Sequence, residues 1–184
     1  MKPRSRFRGL TMFVTVGSTR FDELIDVILQ DESIEQIIEL GFTKLILQIG
    51  CSNYSETRLE QVRQDCLNKF DIELYDYKTS ISEDIERADV IVGHAGAGTC
   101  LETLRNGKRL LIVVNEKLMN NHQQELADQL SQDNYVVKTT VDKFNENLTL
   151  ICNSETKLNK FPPRDASKFE QIFDEALRKV TSRL

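Results

Sequence analysis

Three short stretches of this 184-residue sequence set glycine and hydrogen-bonding side chains where a strand gives way to a helix. "GHAGAGT" (93–99) holds Gly93, Gly96 and Gly98, three of the eight glycines in the chain, together with His94. Gly96 and Gly98 lack a Cβ, so with Ala97 and Thr99 they let the main chain approach a diphosphate at a helix start. A plain tight turn asks for the same residues. His94, at the strand end, suits donation to a phosphate or service as a base, and equally a structural hydrogen bond. Glu102 falls one turn further on, where its carboxylate can accept from a ribose diol or simply favour the helix start. "VGSTRF" (16–21) repeats the strand–glycine–helix arrangement with Gly17, Ser18 and Thr19. It reads as an anion-binding turn or as an ordinary capped one. In "NNHQQELA" (120–127), Asn121, His122, Gln123 and Gln124 can all donate and accept, and of these only His122 titrates usefully. Such a set suits recognition of neutral hydroxyls, as on a sugar, or forms a solvated helix end.

These loops need strands and helices to hold them. Short β-rich runs lie at 11–16, 44–49, 70–77, 89–93, 109–114 and 135–138. Helical patterns lie between them, at 21–41, 55–69, 80–88, 99–107, 121–132 and 141–152. Leu24, Ile25, Ile28 and Leu29, and again Leu59, Val62 and Cys66, recur at helical spacing. Ser55 and Ser80 or Ser82 are expected N-caps, and Gly41 and Gly107 expected C-terminal stops. Alternating β and α with apolar strands implies an α/β fold: one doubly wound, Rossmann-like domain, its parallel sheet covered by helices on both faces. It is expected over 11–163, after a basic extension at 1–10. After the paired Pro162 and Pro163, a last amphipathic helix is expected within 164–184. Phe169, Ile172, Phe173, Ala176, Leu177 and Val180 form its apolar stripe, which must dock on the sheet domain or on something else.

Composition removes several classes. The formal charge is −5, and Lys2, Arg4, Arg6 and Arg8 alone carry four positive charges, so the rest carries −9. An acidic body is a poor match for a nucleic-acid backbone. The longest apolar run, "LLIVV", is far short of the ~20 residues that cross a bilayer. Four scattered cysteines without a CxxC pair indicate neither zinc nor disulfides, and suit the reducing cytosol. "GAGTCL" breaks the GxGxxG fingerprint, which disfavours a nicotinamide cofactor. No Asp-x-Asp pair, G-x-S-x-G elbow or Walker motif occurs, so no metal is expected.

Taken together, "HAGAGTCLE" and "NNHQQELA" resemble the nucleotide-sugar-binding C-terminal half of GT-B glycosyltransferases related to the bacterial lipid II N-acetylglucosaminyltransferase. With "FVTVGSTRFDEL" and the short length, the resemblance narrows to small subunits of the bipartite eukaryotic UDP-N-acetylglucosamine transferase. Those enzymes add the second N-acetylglucosamine to dolichol-diphosphate-linked N-acetylglucosamine at the cytosolic face of the ER. The resemblance implies that Gly17, Ser18 and Thr19 line the diphosphate and that Gly96, Ala97, Gly98 and Thr99 hold phosphate through the main chain. It implies that Glu102 binds the uridine ribose, and that Gln123 and Gln124 contact sugar hydroxyls beside Asn121 and His122. It further implies no cofactor beyond the donor UDP-GlcNAc, and a membrane-anchored acceptor-binding partner met by the C-terminal stripe. The residues leave two rivals open, a self-sufficient sugar-nucleotide enzyme and a non-catalytic nucleotide-sensing module.

Overall fold

A computed structural model describes residues 9–66, 70–115 and 121–163, without the side chains of 121 and 122. The six expected strands form one parallel sheet in the order β3-β2-β1-β4-β5-β6. They are β1 (Leu10–Thr15), β2 (Phe42–Gln48), β3 (Asp71–Tyr75), β4 (Val90–Gly93), β5 (Arg109–Val113) and β6 (Val137–Thr139). Chain entry at β1, growth outward to β2 and β3, then a return to β4 beside β1 gives a doubly wound sheet.

Period-two alternation in each strand builds two cores. Met12, Val14, Leu45, Leu47, Val92 and Val113 pack one face against α1 (Asp22–Ile28), α2 (Asp31–Glu39), α3 (Glu56–Asp65) and α7 (Phe144–Cys152). Phe13, Ile46, Ile91, Leu110 and Ile112 pack the other against α4 (Ser82–Arg87), α5 (Ala97–Arg105) and α6 (Asn121–Gln132). Each such fully buried side chain stabilises the fold by about 1.5–3 kcal/mol. Among the described residues, no helix is long and apolar enough to cross a membrane.

The continuous helix expected at 21–41 is two helices, broken at Leu29 and Gln30. Gln30 is extended, with φ −69° and ψ 150°. Arg58 holds the break: its Nε donates to the Leu29 carbonyl at 2.7 Å and its Nη2 pairs with Asp31 at 2.6 Å. A long-range partner thus overrides a helical periodicity that runs unbroken in the sequence. Ser55 caps α3 as expected, accepting from the Arg58 amide at 3.2 Å. Gly41 and Gly107 end α2 and α5 with φ of +97° and +66°. Cys66 and Cys100 are buried, Cys152 is half-buried and Cys51 is exposed. The C-terminal stripe and the basic residues 1–8 lie outside the described residues.

Candidate functional site

In an open parallel sheet the ligand crevice lies beyond the carboxyl ends of the strands, where the order reverses. Here that point is between β1 and β4. The register sets Thr15, the last residue of β1, level with Gln48 of β2 and Gly93 of β4. The loops starting at Val16, Ile49 and His94 therefore leave the sheet side by side.

The loop after β4 is the more open of the two glycine turns. Gly96 caps α5 with φ −64° and ψ 123°, without any side-chain cap, and the first turn carries no acidic residue. The amides of a helix's first turn have no intrahelical partner, and here they meet the positive end of the helix dipole. Ala97 and Gly98 are exposed and Thr99 is half-buried, so this terminus faces outward.

His94 lies against both glycine loops and is 5% exposed. A Cβ on Gly17 would come within 3.0 Å of its Cε1, and one on Gly96 within 2.9 Å. Its Nδ1 is 3.4 Å from the Thr15 carbonyl oxygen, which can only accept. In the neutral ring the proton therefore sits on Nδ1 and Nε2 holds the lone pair. Burial pushes the imidazole pKa below its ordinary value, with the Thr15 contact opposing. No carboxylate stands behind His94 among its described hydrogen bonds, so the geometry does not supply the dyad that would make it a strong base.

Between His94 and Gly96 sits Ala95 at φ +68°, a buried non-glycine in the left-handed region. Such backbone is strained by about 1–3 kcal/mol and clusters at functional sites. Sequence reasoning passes over it, because alanine gives no signal of a left-handed turn.

The turn after β1 is held from within. Gly17 has φ +61°, and its amide donates to Thr15 Oγ1 at 3.1 Å. Thr19 donates to the Val16 carbonyl through its amide at 3.2 Å and its hydroxyl at 2.7 Å. Ser18 is left exposed. The start of the helix that follows is occupied as well. The Phe21 amide is taken by Ser52 Oγ at 2.8 Å, and Asp22 and Glu23 fill the first turn of α1. These carboxylates already offset the helix dipole at the start of α1. Serine and carboxylate at a helix start are visible in sequence, but that Ser52 comes from the loop after another strand is not.

Glu102 is half-buried and accepts from Ser82 Oγ at 2.5 Å. Ser82 lies 2.9 Å from Ser80, so a pair of hydroxyls at the start of α4 orients the carboxylate. Gln123 is half-buried and Gln124 exposed in the first turn of α6, at the same end of the sheet. The side chains of Asn121 and His122 lie outside the described residues. A cleft of about 780 Å³ opens beside the site, where Phe21, Val114 and Asn115 meet Asp142. Glu23, Asp26 and Glu32 also line it, so it is too acidic for a diphosphate. Among the described residues no group of three metal-ligating side chains occurs.

A doubly wound parallel sheet with an uncapped, glycine-started helix at its switch point defines a Rossmann-like α/β domain. The chain belongs to the glycosyltransferase family described as the family 28 C-terminal domain, whose model matches residues 11–176. It is 46% identical over 129 residues to a Homo sapiens protein named UDP-N-acetylglucosamine transferase subunit ALG13, covering 70% of this chain and 11% of that one. A Saccharomyces cerevisiae protein of the same name is 30% identical, with 90% of this chain and 95% of that one covered. This chain thus spans about a tenth of the human and mouse relatives and nearly all of the yeast one. Among solved structures, an NMR structure of ALG13 superposes with a TM-score of 0.64 at 26% identity, over 90% of this chain and 95% of that one. Acinetobacter baumannii MurG superposes with a TM-score of 0.55 at 15% identity, over 79% and 42%. The latter bears on fold alone, and the fold is the GT-B half expected from the loops.

Proposed function

We propose that this chain is the donor-binding subunit of a UDP-N-acetylglucosamine transferase, adding the second GlcNAc to dolichol-diphosphate-GlcNAc in complex with a membrane-anchored acceptor-binding subunit. Such a subunit works in the cytoplasm and is recruited by its partner to the cytosolic face of the ER. The observation that carries the reading is the open terminus of α5, started by Gly96 at the switch point of a family 28 domain. The names of the human and yeast relatives supply the donor, and the word subunit in them supports a partner.

In this reading the UDP diphosphate meets the amides of Ala97, Gly98 and Thr99, with Ser18 and His94 Nε2 on the opposite side. Glu102 accepts from the ribose hydroxyls, and Gln123 and Gln124 face the sugar, beside Asn121 and His122. The acceptor hydroxyl oxygen attacks the anomeric carbon as the bond to the diphosphate oxygen breaks, inverting the centre. UDP departs with the electron pair, and the hydroxyl proton passes to a base contributed by the partner or at the joint. Charge develops on the leaving diphosphate, where preorganised amides and a helix terminus act most strongly. That role needs no metal. The C-terminal stripe from Phe169 to Val180 would meet the partner.

The test mixes purified chain, UDP-GlcNAc and lipid acceptor, with and without membranes carrying the partner. Transfer is expected only in the complete mixture. Full-rate transfer by the chain alone would overturn the split-site reading, and hydrolysis of UDP-GlcNAc by the chain alone would favour a self-sufficient enzyme.

A further inference from the structure

The ends of β1 and β2 carry two polar side chains where a parallel sheet covered on both faces asks for apolar ones. Thr15 is 0% exposed and Gln48 is 2% exposed. A buried hydroxyl and a buried amide are tolerated only when they find hydrogen-bond partners, and here the hydroxyl bonds both the amide oxygen and the first glycine loop. Thr15 Oγ1 donates to Gln48 Oε1 and accepts from the Gly17 amide at 3.1 Å. The Gln48 carbonyl accepts from the Val16 amide at 3.2 Å. The Thr15 carbonyl, on the same residue, faces His94 Nδ1 at 3.4 Å. One residue therefore grips the first glycine turn with its side chain and orients the histidine of the second with its main chain.

We infer that Thr15 and Gln48 are positioning residues, a buried pair that sets the first glycine turn against His94 so that both face one diphosphate. The inference rests on the donor-site reading above. The hydroxyl of Thr15 has one proton, and Gln48 Oε1 takes it. The remaining lone pairs are then free to receive the Gly17 amide, which turns that amide inward and leaves Ser18 outward. Valine in place of Thr15 keeps the shape but cannot receive the amide and leaves the side-chain Oε1 of Gln48 without its donor. Serine keeps the hydroxyl and loses only a methyl group.

The experiment uses the full chain and compares Thr15→Val, Thr15→Ser and Gln48→Met. Amide hydrogen exchange at Gly17, the ring nitrogen signals of His94 and titration with UDP-GlcNAc are followed by NMR. Thr15→Val is expected to speed Gly17 exchange and to weaken UDP-GlcNAc binding, each about tenfold, while amides of β5 exchange as before. Thr15→Ser is expected to restore both to within about threefold, a rescue that loss of bulk alone would not give. Unchanged Gly17 exchange in Thr15→Val, or a serine variant as impaired as the valine one, overturns the inference. If Thr15→Val does not fold, Gln48→Met takes its place by removing the acceptor from the other side: faster Gly17 exchange supports the inference and unchanged exchange overturns it. Should the wild-type chain fail to bind UDP-GlcNAc, the donor reading falls, while Gly17 exchange and the His94 signals still decide whether this pair sets the two loops.

Discussion

Two junctions of this sheet look alike in sequence and differ in the fold. After β1, a glycine turn runs into a helix whose first turn is already filled by Asp22 and Glu23. After β4, a glycine turn runs into a helix with no cap and no acid in its first turn. The first junction turns its donors inward, onto Thr15, Val16 and Ser52. The second leaves its first-turn amides at an outward-facing terminus. Both touch His94, so the pair behaves as a brace and a receiver: one fixes the histidine's surroundings and the other presents charge. Glycine content alone does not separate these roles; what fills the helix terminus does.

The largest expected effect comes from breaking the brace. Gly50, in the loop after β2, has φ +56°, and a Cβ there would lie 2.4 Å from the Thr19 carbonyl oxygen and 2.6 Å from that of Gly17. Both obstacles are backbone, and the neighbouring Cys51 amide is bonded to the same Thr19 carbonyl at 3.0 Å. Gly50→Ala should therefore destabilise the fold by about 3 kcal/mol or more, combining left-handed strain with a clash that cannot relax. Urea unfolding reads this as a lowered midpoint; an unchanged midpoint would mean that the loop after β2 does not hold the turn.

Next comes the receiver, where two glycines two positions apart should respond differently. A Cβ on Gly96 would meet His94 Cε1 at 2.9 Å and Nε2 at 3.1 Å, whereas one on Gly98 meets nothing within 4 Å. Gly96→Ala is expected to push His94 out of place and weaken UDP-GlcNAc binding about a hundredfold, the scale of losing one preorganised donor. Gly98→Ala should leave folding intact, with a few tenths of a kcal/mol gained from helix propensity, yet bind donor about tenfold less well because a methyl group shields the amides. Calorimetric titration beside thermal melts separates the two. Equal donor affinity in Gly98→Ala and wild type would place the diphosphate elsewhere.

How much of this could be read from the chain follows the range of the interactions involved. Strand alternation and glycine stops are local, so the six strands and the ends of α2 and α5 were legible. The break at Leu29 and Gln30 depends on Arg58, and the closed terminus of α1 on Ser52, both supplied from distant parts of the chain. Sequence spacing does not report such partners. The family resemblance was legible because both loop motifs are contiguous. The inward turn of Gly17 was not, since the Thr15 hydroxyl that receives its amide is itself held by Gln48 in another strand. Ala95 left no trace, because its left-handed backbone is imposed by what surrounds it.

A smaller effect sharpens the ribose side. Glu102 is oriented by Ser82 at 2.5 Å rather than standing free. Glu102→Gln keeps the shape while removing the charge, and should weaken UDP binding about tenfold, in line with the loss of a charged hydrogen bond. Ser82→Ala should cost about two- to threefold, by freeing the carboxylate to sample other rotamers. If Ser82→Ala weakens binding as much as Glu102→Gln, the serine itself contacts the ligand.

The smallest effect, a few-fold change with pH, tests what His94 does between the two junctions. Its folded-state pKa lies below the ordinary value near 6.5 because burial disfavours the charged ring. In that window the unfolded chain binds more protons than the folded one, so stability falls as pH drops below about 6.5. A diphosphate placed at Nε2 reverses the preference, since only the protonated ring can donate there while Nδ1 still serves the Thr15 carbonyl. Donor binding should then take up a proton, and UDP-GlcNAc should bind a few-fold more tightly at pH 6 than at pH 8. His94→Asn should flatten both the stability slope and the binding slope. The base reading of His94 has the opposite sign for catalysis, because a base must start neutral and activity would fall toward acid. Measuring donor affinity and transfer rate over the same pH range, with and without His94, distinguishes the two: affinity rising toward acid supports the donor role, and flat affinity with a rate that falls only when His94 is present supports the base.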